Sequence, residues 1–190
     1  MKLYKIYSRA IGLLFALSLL CVGCENEDIL DINDLEISPS NPESVIIVEP
    51  DDGITSVNAL TRAINENGDA TYILRRDGVY YMEGKNVFKH NVVIKAENGS
   101  GKMPIIQPIC DAQGALNADM IRLEGSATFE NIYIIGKDAA TGNLMQRLFR
   151  IDESNVRLKF DHCFIDHCRN FCIRTDNVNN KIYLNNSTIR

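Results

Sequence analysis

Phe149-Arg150-Ile151-Asp152 alternates apolar and charged side chains, and the same alternation returns 24 residues later as Ile173-Arg174-Thr175-Asp176. In that register Leu158 falls on Ile182, Phe160 on Leu184, Cys163 on Ser187 and Ile165 on Ile189. An earlier copy starts at Ile121-Arg122-Leu123-Glu124 and continues through Phe129, Ile132 and Ile134 with different spacing. Side chains alternate between the two faces of a strand, so each copy reads as three short strands with one apolar face. A unit of 24 to 31 residues copied in register predicts one coil of a solenoid, each strand pairing with its own copy about 4.8 Å away. The expected fold is therefore all-β, a right-handed parallel β-helix. A leucine-rich repeat has a similar period but needs a Leu/Asn signature that is missing. An immunoglobulin-like sandwich alternates its strands without copying them in register.

Asn131, His162 and Asn186 stand at one turn of the three copies. Stacked there, they are expected to hydrogen-bond along the axis as an asparagine ladder does.

Upstream, Val57, Leu60, Ala63 and Ile64 share one face of a helix predicted over Thr55–Asn67, with Thr55 or Ser56 as its cap and Gly68 as its left-handed terminator. Thr71–Leu74 reads as a strand, Arg75-Arg76-Asp77-Gly78 as a turn and Val79-Tyr80-Tyr81 as a second strand. This order of amphipathic helix, Gly-Asp, strand and Asp-Gly-x-Tyr resembles the start of pectate-lyase-like β-helices, where a short helix plugs the open end of the core. The resemblance covers residues 54–190. It is similar to surface lipoproteins of gut anaerobes that carry chondroitinase-B-like or pectate-lyase-like β-helices.

The first 23 residues lie outside that pattern. Lys2, Lys5 and Arg9 precede an apolar run, Ile11 to Leu20, too short to span a bilayer, as in a signal peptide. Cys21-Val22-Gly23-Cys24 resembles a lipobox with Cys24 as the acylated residue, which implies a lipid anchor on the outer membrane or cell surface. Residues 24–49 are acidic and rich in turn formers and read as a flexible tether. Residues 50–190 read as the front part of a β-helix domain whose further coils are missing, because the last copy has nothing after it to cover its edge.

Removing the signal leaves seventeen Lys and Arg against twenty-five Asp and Glu, a net charge of −8. Such a chain has no footprint for nucleic acid. An anionic polysaccharide would need a local basic patch. Tryptophan is absent, which removes the commonest sugar-stacking platform. Four cysteines remain, Cys110, Cys163, Cys168 and Cys172. Cys168 and Cys172 could pair if a turn brings them together. His162, Cys163, His167, Cys168 and Cys172 lack CxxC spacing and read as core and turn residues rather than a zinc site. Gly99-Ser100-Gly101-Lys102 lacks the first glycine of a phosphate loop.

The candidate site is a column. Arg122 with Glu124, Arg150 with Asp152, and Arg174 with Asp176 occupy one position on three coils and should face outward. Three arginines one coil apart can grip successive carboxylates or hydroxyls of a glycan, and the acids could hold calcium. The bland alternative is a solvated ladder in which each arginine neutralises neighbouring acids. Arg157, Lys159 and Lys181 extend positive charge onto the next sheet, and Tyr133, Phe164 and Thr188 decorate the third.

The expected function is a cell-envelope lipoprotein whose β-helix binds or processes polysaccharide. The resemblance implies one alternative, a polysaccharide lyase that removes the proton beside a neutralised uronate carboxylate with a Lys or Arg base. No segment matches the lyases' calcium or catalytic motifs, so no catalytic residue is named. A structural or adhesin-like scaffold is the other alternative, because this fold hosts all three roles.

Overall fold

The computed structural model of the protein describes residues 44–190. The signal peptide, Cys24 and the tether as far as residue 43 lie outside the described residues. Fifteen strands and one helix are described. Strands β1 (Val45–Val48), β2 (Ala70–Leu74), β5 (Val92–Ala96), β8 (Ala127–Glu130), β11 (Arg157–Asp161) and β14 (Lys181–Asn185) form one parallel sheet. A second sheet holds β3 (Val79–Glu83), β6 (Ile105–Ile109), β9 (Tyr133–Ile135), β12 (Phe164–Asp166) and β15 (Thr188–Ile189). The third holds β4 (Val87–Phe88), β7 (Asp119–Leu123), β10 (Met145–Ile151) and β13 (Cys168–Thr175). The chain visits the three sheets in turn, which makes a parallel β-solenoid of about six coils.

The registers read from the repeats are those observed. Arg122 pairs with Arg150 and Arg150 with Arg174, Phe129 with Phe160 and Phe160 with Leu184, and Ile134 with Ile165 and Ile165 with Ile189. Stacking the same residue type on itself puts every second side chain inside. Phe129, Phe149 and Phe160 are fully buried. The rings of Phe129 and Phe160 stack at 5.4 Å, with Phe149 edge-on to Phe160 at 5.3 Å. Such pairs add about 0.5–1.5 kcal/mol beyond the area they bury. Among the described residues β13, β14 and β15 stand at the edges of their sheets. Ile182, Leu184 and Ile189 therefore remain 37–49% exposed although they continue the inward column.

Strand β1 already belongs to the first sheet through Val45–Thr71 to Val48–Leu74, so the ordered fold includes residues 45–48, which the sequence reading placed in the tether. Helix α1 covers Ala59–Asn67 and buries Leu60, Thr61 and Ile64. It starts four residues later than the spacing predicts, and neither Thr55 nor Ser56 caps it. Asp52 Oδ1 accepts the N–H groups of Ile54, Thr55 and Ser56 at 2.7–2.8 Å, which commits them to a turn of their own. Asn58 occupies the N-cap in the left-handed region, without a side-chain cap. The capping acceptor comes from farther away: Asp51 accepts from the N–H of Ala59 at 3.1 Å and that of Tyr81 at 3.0 Å, pinning the helix start to β3. Gly68 ends the helix as expected, but at φ 74° and ψ −138°, a glycine conformation outside the left-handed helical region predicted for it, with its N–H donating to the Ile64 carbonyl.

Asn131, His162 and Asn186 share a backbone property rather than a visible side-chain ladder. Their φ values are 56°, 51° and 48°. The turn needs a left-handed residue, and Asn and His are among the non-glycine residues that tolerate it best. The N–H groups of Asn131 and His162 donate to backbone carbonyls of the next coil, Asp161 and Asn185, each at 3.0 Å.

Candidate functional site

The coils differ in length, and the differences have an address. Along the first sheet Ala70 pairs with Val92, Val92 with Ala127, Ala127 with Leu158 and Leu158 with Ile182, giving successive coils of 22, 35, 31 and 24 residues. The two long coils carry insertions at the same corner. Residues 110–118 lie between β6 and β7, and residues 136–144 between β9 and β10. Each insertion is wound about one aspartate. Asp111 Oδ1 accepts from the N–H groups of Gln113 and Ala115 at 3.0 and 2.8 Å. Asp138 accepts from the N–H and hydroxyl of Thr141 at 2.6 and 2.7 Å, and from the N–H of Cys110 at 3.2 Å, so it also ties one insertion to the other. Burial works against the charge on Asp138, yet these donors outweigh it and hold the carboxyl below its usual value.

Gly136 opens the second insertion, close against the backbone of His167. A Cβ there would fall on the carbonyl oxygen of His167 and on the Leu148 side chain. No side chain fits.

The two insertions wall an open cleft of about 560 Å³, lined by residues 114–118 and 142–144 together with Gln146 and Arg169. Three amides, one guanidinium and few large apolar groups make a surface of hydrogen-bond donors and acceptors. The repeats do not reveal this cleft, since insertions carry no period. The unequal spacing of the earlier copies is its only trace in the sequence.

Gln146 belongs to β10 and Arg169 to β13, so the cleft opens at one end of the sheet that carries the arginine column. Arg122, Arg150 and Arg174 align one above the next, part-exposed, as the alternation requires. They are not unpaired cations. Arg122 contacts Asp119 at 2.8 Å and Asp152 at 3.4 Å. Arg150 donates its Nε–H to Asp152 at 2.6 Å and stands 4.0 Å from Asp176, which Arg174 contacts at 3.0 Å. Arginine and aspartate thus alternate across three coils. Glu124 is exposed and makes no ion pair among the described residues.

No family model matches the chain, and no curated protein matches it.

Asp119 is the member of the network that the sequence does not single out. Its side chain is fully buried, with Arg147 of β10 on Oδ1 and Arg122 beside Oδ2. The Arg122 contact is short but lacks hydrogen-bond geometry, leaving Oδ2 and the Arg122 Nε without a hydrogen-bond partner. Among the described residues no group of three or more His, Cys, Asp or Glu is placed to hold a metal ion. No helix among them is long and apolar enough to cross a membrane.

Proposed function

We propose that this chain is an exported, lipid-anchored β-helix protein that binds polysaccharide along the sheet carrying Arg122, Arg150 and Arg174 and in the adjoining cleft. The observation that carries the reading is the coincidence of two features on one face. A run of aligned arginines with their Asp152 and Asp176 partners leads into a cleft whose lining offers Asn117, Asn143, Gln146 and Arg169. Neighbouring coils are about 4.8 Å apart, so an extended glycan lying across the strands meets an arginine at each coil. Each guanidinium has five N–H donors and its ion pairs use only some of them, leaving others for sugar hydroxyls or a uronate carboxylate. The Cys24 anchor would hold this face at the outer membrane or cell surface.

A scaffold without a ligand is the second reading. Its support is that every arginine of the column already has a carboxylate within 4.0 Å.

Calorimetric titration of the full chain with a uronate oligosaccharide separates the two. Binding should weaken about tenfold in Arg150→Ala, with the wild-type advantage shrinking as salt screens the contact. Equal affinity of wild type and Arg150→Ala, or no heat of binding in either, supports the scaffold and ends the glycan assignment.

A further inference from the structure

On a regular strand, residues four apart are separated by about 13 Å, far beyond the reach of a disulfide, whose Cα atoms lie within about 7 Å. Cys168 and Cys172 belong to one strand, β13, yet their sulfurs are 2.7 Å apart. The cause is a bulge. Met145 pairs with Cys168 and Arg147 with Phe171, so two residues of β10 span what takes three on β13. The extra residue bends the strand between the two cysteines, whose sulfurs meet on the same side. Arg169, Asn170 and Phe171 are pushed outward and are exposed, Phe171 by 55%. Both cysteines are free thiols, half-buried at the base of that excursion, and so still within reach of a small oxidant. Cys110 and Cys163 are not the other's partner, since the sulfur of Cys163 donates to the Phe129 carbonyl at 3.3 Å and that of Cys110 stands 3.5 Å from the Thr141 hydroxyl.

We propose that Cys168 and Cys172 close a disulfide clip across this bulge and so fix Arg169 against the cleft. The reaction is a thiol–disulfide exchange with an acceptor disulfide, such as glutathione disulfide or a protein disulfide of the export compartment. One thiolate attacks the acceptor and releases its first thiol. The second protein sulfur then displaces the remaining half, giving one protein disulfide and two acceptor thiols. Burial, followed by the contact with Cys168, pushes the Cys172 thiol up to about 12. Either sulfur can make the first attack once its proton has passed to solvent. The enclosed loop is too short to remove much chain entropy. The effect is local: the excursion that presents Arg169 loses its freedom. Closure inside cells rests on the export reading, because the cytoplasm keeps such pairs reduced.

The chain itself supplies the assay. Trypsin cuts after Lys159, Arg169 and Arg174, so a Cys168–Cys172 disulfide joins peptide 160–169 to peptide 170–174. Purified full-length protein in detergent is equilibrated with glutathione disulfide, alkylated without reduction, digested and weighed. The joined peptides should appear in wild type and in Cys163→Ser, and vanish in Cys168→Ser. Amide exchange across residues 170–174 should slow at least tenfold on oxidation. Alkylation of both cysteines at the most oxidising ratio, or pairing of either with Cys110 or Cys163, would overturn the clip. Protein alkylated directly in acid-quenched cells provides the separate arm. If the purified chain closes and the cellular one does not, the export reading fails and the clip stands.

Discussion

Arg147 on β10 lies directly across from Asp119 on β7, its Nε–H on a carboxylate that has no exposure to solvent. The outer pairs of the same network are part-exposed, with Arg174 and Asp176 the most open. Location therefore sets the worth of each arginine. Removing one partner of a buried pair leaves a charge without compensation, at about 3–5 kcal/mol, whereas an exposed pair contributes about 0.2–1 kcal/mol. Arg147→Ala should cost about 3 kcal/mol in urea unfolding, the low end because Arg122 remains beside Asp119. Arg174→Ala should cost less than about 1 kcal/mol. Similar losses would mean that the network is uniformly solvated.

Phe160 and Leu184 occupy one inward column on adjacent coils, the first with no exposure and the second 49% exposed. Phe160→Ala should destabilise by about 3–5 kcal/mol, as truncating a buried aromatic does. Leu184→Ala in the chain as it stands should lose well under half of that. Thermal denaturation of the two variants decides, and a cheap Phe160→Ala would show that the register is wrong by one residue.

The carboxyl of Asp138 is held below its unfolded value. Its stabilising effect is complete above the unfolded pKa of about 4 and is lost as the pH falls through the lower folded value. The cleft walls should therefore stay protected from proteolysis at pH 5 and above, and open progressively as the pH falls below about 4 toward the lower folded value. Asp138→Asn should be cut in residues 110–118 and 136–144 at neutral pH as well, with little further change on acidification. Identical cleavage of wild type and variant across the range would remove Asp138 from this role.

At Gly136 the obstacle to a Cβ is the His167 backbone carbonyl, which cannot swing aside as a flexible side chain would. Gly136→Ala should cost about 2 kcal/mol or more through overpacking and a shifted corner. Gly114→Ala, at φ 76° with nothing within 4 Å, should cost less because it carries backbone strain alone. Equal melting temperatures for the two would contradict the contact.

The solenoid was legible because two independent regularities agree, the alternation within each strand and the in-register copying from Arg122 to Arg150 to Arg174. The arginine column followed from the same arithmetic. So did its pairing with Asp152 and Asp176, as the alternative to a glycan site, but the buried Asp119 did not, because it has no counterpart at the same place in the other copies. The helix start was misplaced for a local reason: Thr55 and Ser56 look like caps, but Asp52 takes their N–H groups first and Asp51 reaches the helix from outside it. The bulge of β13 was hidden by the correct match of Phe149 with Ile173, since the extra residue enters just before it. Arg169 and the cleft were illegible because non-repeating segments give a periodicity argument nothing to hold.

A coil of 35 residues and one of 24 sit in the same stack without disturbing the pairing of β5, β8, β11 and β14. That tolerance has an evolutionary consequence. Residues gained or lost at the corner between the second and third sheets alter what the surface meets and leave the interior untouched, whereas one residue gained within β8 or β11 would exchange inside for outside along the strand. Descendants of this chain are thus free to change the shape of that corner in many small steps while inheriting the same frame.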